Sequence, residues 1–164
     1  MGRILVRSLE ENMAYRSSKY YGHETGLSCV FRQPNATHSH CSLLHGYALA
    51  FYFEFEAKEL DDKNWVVDFG GLKELKTWLQ DNFDHTVVLD TADPKIEDMK
   101  VLEENGIADL RYFDGVGCEK FAEHAFRKAD EIVRRITDNR CYCVKCEVRE
   151  HGANSGIYLS HKYT

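Results

Sequence analysis

The 164 residues are 43% apolar and 29% charged, enough apolar material for one packed core and consistent with a single domain over residues 1–164. A formal net charge of −6 disfavours nucleic acid as a partner, although a small phosphorylated substrate needs only a few local cations. No apolar run approaches the ~20 residues that span a bilayer, and the first twelve residues lack the apolar stretch and cleavage site of a signal peptide.

Gly2 is also a poor myristoylation acceptor, because Leu5-Val6-Arg7 does not fit the required pattern. A cytoplasmic location without a membrane partner is therefore expected, and the six cysteines there would mostly be reduced thiols.

In chain order, residues 14–33 mix Tyr, Ser, Val and Phe and read as extended, with an irregularity at Gly22 to Gly26. Pro34-Asn35 marks a turn. Residues 45–57 alternate, with Phe51, Phe53 and Phe55 on one face and Tyr52, Glu54 and Glu56 on the other, as in a half-buried antiparallel strand. Trp65-Val66-Val67 opens the next element. Residues 68–83 follow a helical stripe of Leu72, Leu75, Trp78 and Leu79, with Asp68 as cap.

A short segment at 86–89 precedes a weaker helix at 95–105 and a stronger one at 118–136. The stronger helix carries Glu119 in its first turn and Arg134-Arg135 in its last, matching its dipole. Residues 141–149 and 157–161 read as strands. Strands at both ends with helices grouped between them predict an α+β fold on an antiparallel sheet. Two prolines, no repeat and no Gly-rich phosphate loop accompany this pattern.

Three of the eight histidines, His38, His40 and His45, crowd around Cys41. Imidazole and thiolate are the usual zinc donors, and the spacing is not that of a zinc finger, so a catalytic site with an open position is the better reading. The bland alternative is a His-rich surface loop. Asp84-His85 could be ordinary helix-end polarity or a carboxylate–imidazole pair. As neighbours in sequence, their side chains are expected to act each on a third group. Glu150, at a strand end before a Gly-rich turn, could accept two N–H donors from an amidine edge. Cys141, Cys143 and Cys146 are split across two faces by strand periodicity, which disfavours a metal cluster and favours buried thiols.

Taken together, these pieces resemble the 6-pyruvoyltetrahydropterin synthase/6-carboxytetrahydropterin synthase family. Cys41-Ser42-Leu43-Leu44-His45-Gly46 is similar to its C-x-x-x-H-G-H. Val66-Val67-Asp68-Phe69-Gly70-Gly71-Leu72-Lys73 is similar to its V-x-D-F-x-x-L-K, and Phe83-Asp84-His85 to its L-D-H. Glu150, with Ile157-Tyr158 after it, matches the final anchoring strand.

The resemblance implies the tunnelling fold, a four-stranded antiparallel sheet with two main helices on one face. It implies a homo-oligomer, commonly a hexamer built as a dimer of trimers, with active sites at subunit interfaces. It also implies a zinc-dependent lyase acting on 7,8-dihydroneopterin triphosphate to give 6-carboxy-5,6,7,8-tetrahydropterin, as on the queuosine/deazapurine route. The alternatives are the 6-pyruvoyl product, or a non-catalytic pterin- or purine-binding member with a remodelled metal site.

Cys41 then matches the catalytic base, Asp84 and His85 the proton relay, and Glu150 the pterin anchor. His45 matches a zinc ligand, but the second histidine of H-G-H is Tyr47 here. The family's upstream ligand ends a first strand in x-A-A-H, for which Tyr21-Gly22-His23 is the nearest match. The expected zinc trio is His23, His40 and His45, with His38 in reserve. Lys19, Arg32 and Lys73 are candidate cations for the triphosphate.

Overall fold

A computed structural model describes residues 13–161; the N-terminal reading around Gly2 lies outside the described residues. The chain runs β1 (Tyr15–Tyr21), β2 (Leu27–Phe31), β3 (His45–Ala57), α1 (Lys73–Phe83), β4 (Thr86–Asp90), α2 (Ile96–Glu104), β5 (Leu110–Phe113), α3 (Cys118–Ile136), β6 (Cys141–His151) and β7 (Asn154–Leu159). The α+β class is as expected.

The sheet is larger than the expected four strands. Its order is β5-β4-β2-β3-β6-β7, with β1 also on β3. It is mixed rather than purely antiparallel, because β2–β4 and β4–β5 pair in parallel. Strand β5 is only four residues long, too short for its alternation to stand out in the sequence.

β1 and β2 are two halves of one edge along β3. Tyr21 sits opposite Phe51 and Leu27 opposite Leu49, and a 3₁₀ turn at His23–Thr25 interrupts the run between them. This is the irregularity anticipated at Gly22 to Gly26.

The alternation of β3 is realised: Phe51, Phe53 and Phe55 are fully buried. Each such side chain contributes about 1.5–3 kcal/mol through burial. Helix α1 covers them with Leu75, Leu79 and Phe83. It is preceded by a 3₁₀ turn, Phe69–Leu72, which Asp68 caps by accepting the Gly70 N–H at 2.8 Å. Trp65-Val66-Val67 forms no strand; the Arg140 guanidinium holds its carbonyls at Trp65 and Val66 instead.

Helix α3 supplies the second cover, with Phe121, Ala125, Ala129 and Ile132 all fully buried. Rings connect the layers. Phe83 lies 5.0 Å from Phe51 and 5.2 Å from Phe121, and Phe121 lies 5.1 Å from Phe31. The core therefore leads directly to the end of β2.

Cys141, Cys143 and Cys146 are all buried, contrary to the expected split. A bulge explains this. Glu54 pairs with Lys145 but Phe55 pairs with Cys143, so Val144 is extra and the inward parity of β6 changes from odd to even. The same change turns Val148 and Glu150 inward.

Candidate active site

The chain leaves β2 through Arg32 and Gln33, and these two residues hold the turn that carries Cys41. The Gln33 N–H donates to the Cys41 carbonyl at 2.8 Å. The Arg32 guanidinium donates to the Ser42 carbonyl at 2.8 Å. Within the turn, the Cys41 N–H donates to Ser39 Oγ, and the Ser42 hydroxyl donates to the Ser39 carbonyl. All six cysteines lie among the described residues, and Cys41 alone is exposed. Burial pushes the Cys29 and Cys118 thiols up to about 12 and Cys141 to about 11, so none of these ionises readily near neutral pH. Cys41 is the thiol available for proton transfer.

Arg32 is not free to hold a phosphate. Its Nε and Nη2 donate in a bidentate pair to Asp93, both at 2.8 Å, and only 1% of the Asp93 side chain is exposed. Lys19 lies over the Tyr21 ring at 5.3 Å and the Phe69 ring at 6.0 Å.

Glu150 reaches the same end of the sheet from β6. It lines a cleft of about 440 Å³ with Cys118, Glu119, Ala153, Asn154 and Ser155. The cleft is mostly polar and lies at the N-terminus of α3, where N–H groups and the helix dipole favour a carboxylate. The Glu150 charge, after burial, is the next cause raising the Cys118 thiol. Two glycines permit this close fit. Gly117 precedes α3 at φ 105°, a region disfavoured for other residues. A Cβ on Gly156 would lie 2.4 Å from the Glu119 nitrogen and 2.6 Å from the Cys118 carbonyl carbon.

Tyr47 lies between these groups. Burial first, then the charges of Glu150, Cys41 and Cys118, hold its phenol above the usual range, so it stays a protonated donor at neutral pH. Its ring is 5.6 Å from His45 and 6.0 Å from His151.

Asp84 and His85 form a pair directly with one another, contrary to the expectation that each acts on a third group. His85 Nδ1 lies 2.5 Å from Asp84 Oδ1. The left-handed backbone of His85, φ 58°, folds the neighbouring side chains together. A carboxylate only accepts, so it keeps the proton on Nδ1 and leaves Nε2 exposed to solvent. The pair is anchored elsewhere on β2: the His85 N–H donates to the Ser28 carbonyl, whereas Gln33 holds Cys41. Ser28 lies near the start of β2 and Gln33 two residues past its end, so the two anchors are separate.

The expected zinc trio is not gathered. Among the described residues no group of three or more His, Cys, Asp or Glu side chains is arranged to hold a metal ion. His23 sits in the 3₁₀ turn and donates from Nδ1 to the Ala48 carbonyl at 2.5 Å. His40 is exposed in the Cys41 turn, as is His38 just before it. His45 donates from Nδ1 to the Leu43 carbonyl at 2.8 Å. The residue opposite His45 on β2 is Phe31, and the rings are 4.9 Å apart. Phe31 and Cys118 were not singled out from the sequence as parts of the site. Cys29-Val30-Phe31 ends the strand that meets His45.

The sheet with its helical cover and the Cys41–Tyr47–Glu150 end define an α+β protein of the tunnelling-fold class. The family described as 6-pyruvoyl tetrahydropterin synthase matches residues 19–160, and the chain belongs to it. A 6-carboxy-5,6,7,8-tetrahydropterin synthase of Rickettsia bellii is 40% identical over 57 residues, covering 34% of this chain and 41% of that protein. The shared stretch is thus well under half of that relative's length. A protein of the same name from Bacillus subtilis is 25% identical over 136 residues, covering 83% of this chain and 82% of its own. Among solved structures, an uncharacterised protein of Wolinella succinogenes superposes with a TM-score of 0.73 at 15% identity, covering 92% of this chain and all of that one. The Plasmodium falciparum 6-pyruvoyl tetrahydropterin synthase gives 0.64 at 14% identity, covering 91% and 99%.

Proposed function

We propose that the chain is a pterin-processing lyase that takes 7,8-dihydroneopterin triphosphate to 6-carboxy-5,6,7,8-tetrahydropterin. One observation carries this reading: the single exposed thiol, Cys41, sits on a turn clamped by Arg32 and Gln33, and its charge and that of Glu150 both act on Tyr47. Relatives named 6-carboxy-5,6,7,8-tetrahydropterin synthase support the choice of product.

In this reading Glu150 accepts the amidine N–H donors of the pterin ring and fixes its orientation. Cys41, as thiolate, removes a proton from the side-chain carbon. The Asp84–His85 pair moves a proton at the side-chain oxygens through His85 Nε2. The donors expected for zinc do not fit a metal site, so no step is assigned to a metal. Cys41 is held by Gln33, beyond the end of β2, and His85 by Ser28, near its start; in this reading a site using both takes them from two copies of the chain, as in a homo-oligomer. The 6-pyruvoyl product would need the same groups.

Incubation of the purified protein with 7,8-dihydroneopterin triphosphate should release triphosphate and acetaldehyde, and the mass of the pterin product separates the two outcomes. Cys41→Ala should lower turnover by about 10²–10⁴-fold, the usual contribution of a positioned base. Undiminished turnover in that variant would sink the mechanism.

A further inference from the structure

The ends of β2 and β3 meet where the sequence led one to expect a metal. A tetrahedral zinc draws its ligand atoms to about 2.0–2.3 Å from one point. Here the strand opposite His45 presents Phe31, which has no donor atom, and the next inward position of β3 presents Tyr47. Phe31, His45, Tyr47 and His151 form a chain of ring contacts at 4.9, 5.6 and 6.0 Å, and Phe31 is itself seated on Phe121. The remaining imidazoles of the expected trio are held apart from this point, His23 on the Ala48 carbonyl and His40 in the exposed turn.

The cluster is not inert. The Leu43 carbonyl can only accept, so His45 carries its proton on Nδ1 and presents Nε2 as an acceptor. The Tyr47 hydroxyl is a donor on the same face of β3, on a ring 5.6 Å from that of His45. One acceptor and one donor, set against an apolar ring wall, suit a vicinal polyol: an O–H can donate to His45 while a neighbouring oxygen accepts from Tyr47.

We propose that the site of this chain is metal-free, and that Tyr47 with His45 binds the hydroxylated side chain of the pterin at the place where a metal would stand. The proposal rests on the reading of the Glu150 cleft as a pterin site. It goes beyond it by assigning side-chain recognition to two named residues and by removing the metal.

The test uses the untagged full chain and two readouts. The first is metal content by inductively coupled plasma mass spectrometry, as purified and after equilibration with zinc and desalting. The expected result is well below ~0.2 zinc per chain in both; close to one per chain, as a structured site would hold, overturns the proposal. The double variant Phe31→His/Tyr47→His, checked for native circular dichroism, restores donors at both positions and should retain about one zinc per chain. A folded double variant that retains none overturns the assignment of those positions.

The second readout is fluorescence titration with two probes in excess EDTA: neopterin, which has the trihydroxypropyl side chain, and pterin, which lacks it. Tyr47→Phe should weaken neopterin about 10-fold, the loss of one hydrogen bond, and leave pterin unchanged. Equal weakening of both probes, no weakening of neopterin, or abolition of wild-type binding by EDTA overturns it. If the wild-type chain binds neither probe with or without zinc, the pterin reading itself falls and takes the side-chain assignment with it, while the metal count still decides the metal-free claim.

Discussion

Asp93 removes Arg32 from the cations available to a phosphate chain and turns it into a fastener for the Cys41 turn. One guanidinium spans the Asp93 carboxylate and the Ser42 carbonyl, so Cys41 inherits its position from an ion pair whose members are 61 residues apart in sequence. The Arg32 hydrogen bonds hold the Asp93 carboxyl below its usual value near 3.9. A depressed folded value means that the stabilisation is fully present above the unfolded value and is lost as pH falls through the folded one. Asp93→Asn should therefore cost about 3–5 kcal/mol at pH 7, because it leaves a desolvated guanidinium without its partner. Its stability should also vary less than wild type between pH 5 and pH 2. Urea unfolding across that range checks both; parallel curves for the two proteins would refute the assignment. At this scale the sequence was only partly legible. Cys41 and Glu150 could be singled out by type and motif. Asp93 could not, because nothing local links it to Arg32, and Phe31 could not, because only strand register shows which residue faces His45.

Among the elements, α3 and β7 have the tightest junction near the site. Gly156 lets the strand lie against the backbone of Cys118 and Glu119, with no flexible side chain in between to give way. The helix N-terminus then borders the cleft that Glu150 lines. Gly156→Ala should force the two backbones apart, at about 1–3 kcal/mol for an overpacked contact. Thermal unfolding should show the loss, and pterin binding should weaken with it because the cleft widens. An unchanged melting temperature would mean that the junction yields without cost. The elements themselves were read well where periodicity was long. β3, the stripe of α1 and α3 over its full nineteen residues follow from alternation, periodicity and dipole, although Asp68 caps the 3₁₀ turn before α1 rather than α1 itself. The failures are informative. The inward turn of Cys146 comes from one extra residue at Val144, and a bulge leaves no mark on an alternating pattern. β5 is found by its parallel neighbour β4 rather than by its own four residues.

For the whole molecule, the question is how Cys41 and His85 can serve one reaction. Within one chain their backbone anchors are separate, Ser28 near the start of β2 and Gln33 two residues past its end. The proposed role of His85 rests on its side chain: Nδ1 is fixed on Asp84 and the side chain is 90% exposed, whereas its left-handed backbone is an ordinary way to end a helix. In the proposed reading, a neighbouring copy of the chain completes the site that this exposed, oriented imidazole serves. Repetition of one heterologous contact around a closed ring would give every copy both a Cys41 site and a donated His85. Mixing then becomes decisive. Cys41→Ala and His85→Ala should each be nearly inactive alone. If they are unfolded together, refolded at equal ratio and assembled at random, one site in about four receives an intact cysteine from one copy and an intact histidine from another, so about a quarter of wild-type turnover should return. A site contained within one chain can never recombine the two intact residues, and the mixture would stay as inactive as its parts. Size-exclusion chromatography with light scattering on the mixture verifies assembly, so that absent turnover in a fully assembled sample counts against the shared site rather than against refolding.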